Sequence, residues 1–280
     1  MREPSPIIIA ALVMAGIGGA WFWWSKQKQE PPPAPEPPRM AQPVDAAPAE
    51  PTPPAEPAIQ HPIAEAEEPE PAAQPLPPLD ESDAYIRNAL EGLLGRKQVQ
   101  SFLNLGRFAR SFVATVDNLA REHAPLHLWP VVPTPGEFEA AARGGNTVIG
   151  NRNAARYAGI VRLAEGVDTR RLVRIYRRLY PLFQEAYVDL GYPGQYFNDR
   201  VVEVIDHLRA TPTITEPIGL KLVELPEGQK ATRRLYQFVD PALEARSAGQ
   251  KILLRMGPEN AARIKAKLLE VRRHITRNPR

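Results

Sequence analysis

The sequence predicts a mainly α-helical, bundle-like domain with room for a small β-hairpin, preceded by one transmembrane helix and a disordered proline-rich tether. Three observations carry that prediction. An uncharged apolar run occupies Ile7–Trp24, 18 of the 49 residues from 31 to 79 are proline, and beyond residue 79 apolar residues recur at helical spacing. Charge divides the chain in the same places. Residues 1–29 carry three bases and one acid, residues 30–83 one base and twelve acids, and residues 84–280 31 bases and 19 acids. The nets of +2, −11 and +12 sum to the +3 of the whole chain. An acidic arm joined to a basic body points to an interaction role. The chain has no cysteine, which excludes a disulfide framework, thiol chemistry and cysteine-ligated metal.

The expected division is an anchor over 1–29, a Pro/Glu/Ala-rich linker over 30–79 and one helical domain over 80–280. The Ile7–Trp24 run is 18 residues long, roughly 27 Å as a helix, enough for a bilayer core. Its far end holds Trp21, Phe22, Trp23 and Trp24, followed by Lys26 and Lys28. Indoles and snorkelling lysines suit the headgroup boundary. A cleaved signal peptide, with Gly18 and Ala20 as the small residues before the cut, is the rival reading; continuation of the apolar run into four aromatics favours the anchor. Positive charges flank both ends, so the charge rule decides little about direction. A spacer of this composition suits a periplasm, which points to an inner-membrane, single-pass chain with the domain outside. The expected lipid contact is Ile7–Trp24. Proline fixes φ and removes donors, so the tether is expected to be extended, with a contour of at most about 150 Å.

Within the domain, Asp80, Ser82 and Asp83 are capping candidates for a helix over Ala84–Leu94 that Gly95 ends. Apolar residues from Val99 to Leu119 predict one long helix over Lys97–Arg121. Residues 123–150, with four prolines and Gly144-Gly145, read as an ordered loop holding at most one short strand. Helices follow over Asn151–Glu165 and Asp168–Leu190, the second kinked at Pro181 and ended by Gly191. A shorter helix covers Asn198–Arg209. Residues 217–239 alternate weakly around Pro226-Glu227-Gly228, the mark of a small hairpin. Asp240-Pro241 opens one closing helix that Gly257 ends, and Pro258 opens the last.

The run Tyr192-Pro193-Gly194-Gln195-Tyr196-Phe197-Asn198-Asp199-Arg200, followed by Val204-Ile205-Asp206-His207-Leu208 and Ala210-Thr211-Pro212, has a familiar order. So do Tyr236-Gln237-Phe238, Asp240-Pro241, Ser247-Ala248-Gly249-Gln250-Lys251 and Leu254-Arg255-Met256-Gly257-Pro258-Glu259-Asn260-Ala261. Together they resemble the bacterial domain-of-unknown-function family 3014 over about residues 79–277. The resemblance implies a similar layout of anchor and proline-rich stretch, and it brings no activity, cofactor or catalytic residue.

Three surfaces are candidates for function. On the 168–190 helix, Arg170, Arg171, Arg174, Arg177 and Arg178 fall within an arc of about 120°. Guanidinium forks suit carboxylates and phosphates, so this face could take an acidic protein, anionic headgroups or a cell-wall polymer; a solvated face with local ion pairs is the plainer reading. The last helix scatters its bases, including Arg263, Lys265, Lys267, Arg272 and Arg273, all round. Nucleic acid is disfavoured, since no DNA- or RNA-binding motif is present. The third candidate is the cluster around Tyr192–His207. Asp199, Glu203 and Asp206 share a helical face with His207 adjacent, which could serve acid–base chemistry or metal ligation, while Tyr192 and Tyr196 could stack on a sugar. Turn and helix-start roles explain the same residues without chemistry. The favoured reading is a non-enzymatic envelope protein that binds an acidic partner or organises the envelope. A cell-wall enzyme using the carboxylate–tyrosine cluster is the alternative.

Overall fold

The computed structural model describes residues 58–63, 75–223 and 235–276. The chain divides into two units, residues 1–53 and 54–280. The first, with the Ile7–Trp24 run, lies wholly outside the described residues, and so does the Pro226–Gly228 turn. No described helix is long and apolar enough to cross a membrane.

The second unit is mainly helical. Its helices are α1 (Asp83–Leu94), α2 (Arg96–Phe102), α3 (Phe108–Leu119), α4 (Ala158–Gly166), α5 (Thr169–Asp189), α6 (Phe197–Arg209), α7 (Pro241–Glu244), α8 (Ala248–Arg255) and α9 (Pro258–Ile275). Two antiparallel hairpins accompany them, β1 (Ala140–Arg143) with β2 (Asn146–Ile149), and β3 (Leu220–Leu222) with β4 (Tyr236–Phe238). The main core lies between α1, α3, α5 and α6. Ile86, Val113, Leu179, Phe183, Tyr187 and Phe197 are all nearly inaccessible there, and Ile275 of α9 closes it. Rings of Phe112, Phe183, Phe197 and Tyr187 meet edge-on or tilted, as aromatic quadrupoles prefer. A smaller core under β3 and β4 joins Phe238, Leu220, Leu243 and Leu254, and a third links α6 to α8 and α9 through Val204, Leu208, Leu253 and Met256.

Several elements match the sequence pattern. Asp168 caps α5 by accepting the Arg171 N–H at 2.8 Å. Asp240 caps α7, with Pro241 in the first turn, and Pro258 opens α9 after Gly257 at φ 84°. α5 runs on through Pro181, which faces solvent.

Four expectations need correction. The long helix over Lys97–Arg121 is two helices. Leu103 turns extended and pairs with Val131, and Arg107 takes a left-handed φ of 51°. The Asp83 carboxylate holds this break, accepting the Arg107 and Phe108 amides at 2.7 and 2.9 Å. The periodicity missed it because Leu105, inside the break, and Phe108, just after it, are both buried as a continuous helical stripe would have them. The 123–150 loop contains the whole β1–β2 hairpin, reversed by Gly144 (φ 56°) and Gly145 (φ 80°), the left-handed pair that a two-residue hairpin turn needs. Residues 151–157 wind as 3-10 helix before α4 begins. The helix expected from Asp240 to Gly257 breaks at Ala245–Ser247, where Ser247 caps α8 by accepting the Gln250 N–H at 3.3 Å.

The packed structure also reaches into residues that composition assigns to the linker. Ile63 and Leu76 lie against the main core, and Leu79 belongs to it.

Candidate functional site

The Tyr192–Arg200 run links α5 to α6. Gly191 (φ 109°) and Gly194 (φ 75°) take backbone angles that suit only glycine and reverse the chain. The reversal brings the Tyr192 ring onto Tyr187, centroids 4.6 Å apart. The Tyr192 hydroxyl donates to Asp117 of α3 at 3.1 Å and accepts from Arg121.

Asp117 is the centre of a charge cluster that the sequence reading did not single out. Its side chain is 5% exposed and is flanked by Arg200 at 2.9 Å and Arg121 at 2.8 Å. Arg200 also donates to the Asp117 carbonyl and to Glu203. Burial pulls the Arg200 guanidinium down, but the Glu203 and Asp117 carboxylates more than offset that and hold it above its ordinary range. Asp117 falls within the α3 stripe of buried residues, and that placement was the available signal: a carboxylate on an apolar face needs a partner.

The next residues hold a piece of the chain's own linker. The Asp199 carboxylate accepts the Gln60 and His61 amides at 3.0 and 2.6 Å, and the Tyr196 hydroxyl accepts the Ile63 amide at 2.8 Å. Asn198, fully buried, donates its side-chain amide to the His61 carbonyl at 2.8 Å. Its own carbonyl accepts from the Tyr176 hydroxyl, and its backbone N–H goes to Tyr180. Burial raises the phenols of Tyr176 and Tyr180 and pushes Tyr187 up to about 12. These phenols stay protonated and act as hydrogen-bonding groups, not as bases.

The remaining members of the expected cluster go to separate partners. Glu203 pairs with Arg200 at 2.7 Å. Asp206 takes Arg272 of α9 on both oxygens, at 2.7 and 2.9 Å, and Arg209 at 3.3 Å; the Arg272 bond holds its carboxyl below the usual range. His207 meets Ser247 at 2.8 Å beside an open cleft of about 610 Å³ that Glu122, Arg246 and Gln250 also line. That serine is the α8 cap, and no described carboxylate bonds the other ring nitrogen of His207. Asp199, Glu203, Asp206 and His207 are therefore not brought together. Among the described residues, no group of three or more acids and histidines could hold a metal ion.

The α5 arginines divide by their neighbours. Arg171 donates to the Gly92 carbonyl of α1 and Arg178 to the Tyr85 hydroxyl, while Arg177 donates to the His274 carbonyl of α9. α1 thus flanks one side of the arc and α9 the other. Arg170 and Arg174, between them, are exposed and form no ion pair with a described residue.

The class defined by this geometry is a helical domain with a charged outer helix face and a polar helix start that holds residues 60–63 by their backbone. A family model described as "Protein of unknown function (DUF3014)" matches residues 108–272, more than half of the chain, and the chain belongs to that family. The match includes Asp117, the α5 arginines and the whole of α6; the docked segment 58–63 lies outside it. No curated protein and no solved structure matches the chain.

Proposed function

We propose that this is a membrane-tethered, non-catalytic binding protein of the cell envelope, whose domain takes an anionic partner on the outer face of α5. One observation carries the reading: Arg170 and Arg174 stand exposed, with no ion-pair partner among the described residues, on a ridge whose neighbours Arg171, Arg177 and Arg178 are held by α1 and α9. Arginine's planar fork is pre-organised for a carboxylate or phosphate, so little entropy is lost per hydrogen bond formed. The excess of 31 bases over 19 acids beyond residue 83 adds a favourable long-range field. The enzyme alternative loses its footing, because its carboxylates serve a backbone, an arginine on the same helix and an arginine on α9.

The binding half is tested with full-length protein in neutral-lipid nanodiscs and polyglutamate as the anionic probe. Reversing the ridge with Arg170→Glu and Arg174→Glu together should abolish binding that is strong at low salt. Unchanged binding would sink the assignment. The tethering half is tested by phosphatase fusions after residue 280, where activity marks an external domain.

A further inference from the structure

We propose that Tyr196, Asn198 and Asp199 form a receptor for a short peptide segment read through its backbone, and that residues 58–63 of the chain's own linker are its resident ligand. The inference is independent of the α5 reading. Residues 60–63 are Gln-His-Pro-Ile, so they carry three amide hydrogens, proline having none. All three are donated into the start of α6, two to one carboxylate and one to a phenol. The single carbonyl contact comes from Asn198, which is itself fixed by Tyr176 and Tyr180 in the core. A receptor built before its ligand arrives loses little in ordering. Charge-assisted acceptance by Asp199, in the first turn of α6 where the helix dipole favours an anion, strengthens the pair of bonds.

The ligand's chemistry follows from the contacts. The receptor reads backbone at positions 60, 61 and 63, tolerates proline at the one position that meets no acceptor, and offers apolar surface to Ile63. Gln60 and Pro62 themselves face solvent. Recognition therefore reads a segment that bends at its first two positions, so that both amides meet one carboxylate, and that accepts proline third and an apolar residue fourth. An acid-rich stretch, 64–74, separates the docked segment from the domain proper. So short a connection gives the resident ligand an effective concentration in the millimolar range. With 58–63 held, the proline-rich run that precedes the first residue packed on the domain shortens from residues 31–75 to 31–57. The receptor thus acts as a clasp on tether length, and any partner presenting the same segment competes with it.

The test uses full-length protein. Amide exchange at Gln60, His61 and Ile63 should be slowed by about tenfold or more, and Asp199→Ala should remove that protection while the domain's thermal transition remains. Tyr196→Phe, which keeps the ring and loses only the acceptor, should release Ile63 selectively. Unprotected amides in the parent protein overturn the proposal. In the second arm a fluorescent synthetic peptide of residues 58–63 is titrated into the parent chain and into one whose own 58–63 is replaced by Gly-Ser. The replaced chain should bind about tenfold or more tighter, and Asp199→Ala within it should abolish binding. Equal binding to both chains, or to neither, overturns the receptor. A concentration-dependent dimer that vanishes with Asp199→Ala would move the occupant to a second copy and overturn the assignment in cis.

Discussion

The start of α6 and the outer face of α5 are equally dense in charge and use it in opposite ways. Around α6 the charges are turned inward: Asp117 is 5% exposed, Arg200 16%, and each has at least two polar partners. Along α5 the flanking arginines tie down neighbouring helices, and the central pair, Arg170 and Arg174, is left to solvent. Charge in the sequence says nothing about which use applies. Burial and partner supply the difference: an enclosed ion whose mate is removed is costly, and an exposed one is nearly neutral to the fold.

The largest effect should therefore come from Asp117→Ala. It takes the buried carboxylate from Arg200, which keeps only Glu203 and the backbone carbonyl of residue 117, and leaves the Tyr192 hydroxyl without its acceptor. Loss of one partner of a buried pair costs about 3–5 kcal/mol. Chemical denaturation of the full chain reads this directly. A loss under about 1 kcal/mol would mean that the inner cluster is no more structural than the outer face.

Gly249→Ala should come next, and it separates the receptor run from the other stretches that resemble the family. A Cβ at Gly249 would lie 2.4 Å from Leu208 Cδ2 and 2.8 Å from the Leu119 carbonyl. The methyl of Leu208 can shift, but the backbone oxygen cannot, so the expected cost is about 1–3 kcal/mol. Peptide binding at Asp199 should survive wherever the protein remains folded. The Ser247–Lys251 stretch is then accounted for by architecture: a cap, a close approach, a Gln250 bond to the His207 carbonyl and a Lys251–Glu244 ion pair.

Element type was legible in this sequence, while continuity and partnership were not. α5, α6 and α9 follow from period, caps and prolines, because their apolar faces are unbroken and their ends use local chemistry. The break at Leu103–Arg107 was hidden, since its cap, Asp83, comes from another helix and leaves no local mark. The site was legible only as a list. Asp199, Glu203 and Asp206 do share one side of α6, yet their partners come from residue 60, from α6 itself and from α9. Spacing along one helix carries no information about such distant partners. The docked segment was hidden for a further reason. Its proline content reads as spacer, and nothing in composition distinguishes a segment left to solvent from one that folds back onto the domain.

Asp206 tests the intermediate case, a carboxylate that is paired but 42% exposed. Arg272 depresses its folded pKa below the unfolded value. The stabilisation is therefore present above the ordinary carboxylate range, and it fades as pH falls through that range towards the folded value. Exposure limits it to about 1 kcal/mol or less. Asp206→Asn should lower stability slightly at pH 7 and leave it unchanged at the acid end, so the two stability–pH curves converge below about pH 4. A constant offset at all pH values would assign the effect to packing instead of charge.

The smallest effect on the fold, and the sharpest contrast with Asp117, should come from Arg170→Ala with Arg174→Ala. Neither side chain has a described ion-pair partner, so removing both strands nothing, and stability should change by no more than about 0.5 kcal/mol per site. Arg174 does favour the ionised Asp168 cap, as does Arg171, so any loss should appear first as fraying at the start of α5. If the face serves an anionic partner, the same pair should weaken polyglutamate binding steeply at low salt and little at high salt, where a Debye length of about 3 Å screens exposed charge. A double variant that binds normally but unfolds easily would invert the comparison, placing α5's outer charges in the fold and leaving the receptor at α6 as the one surface built to meet a partner.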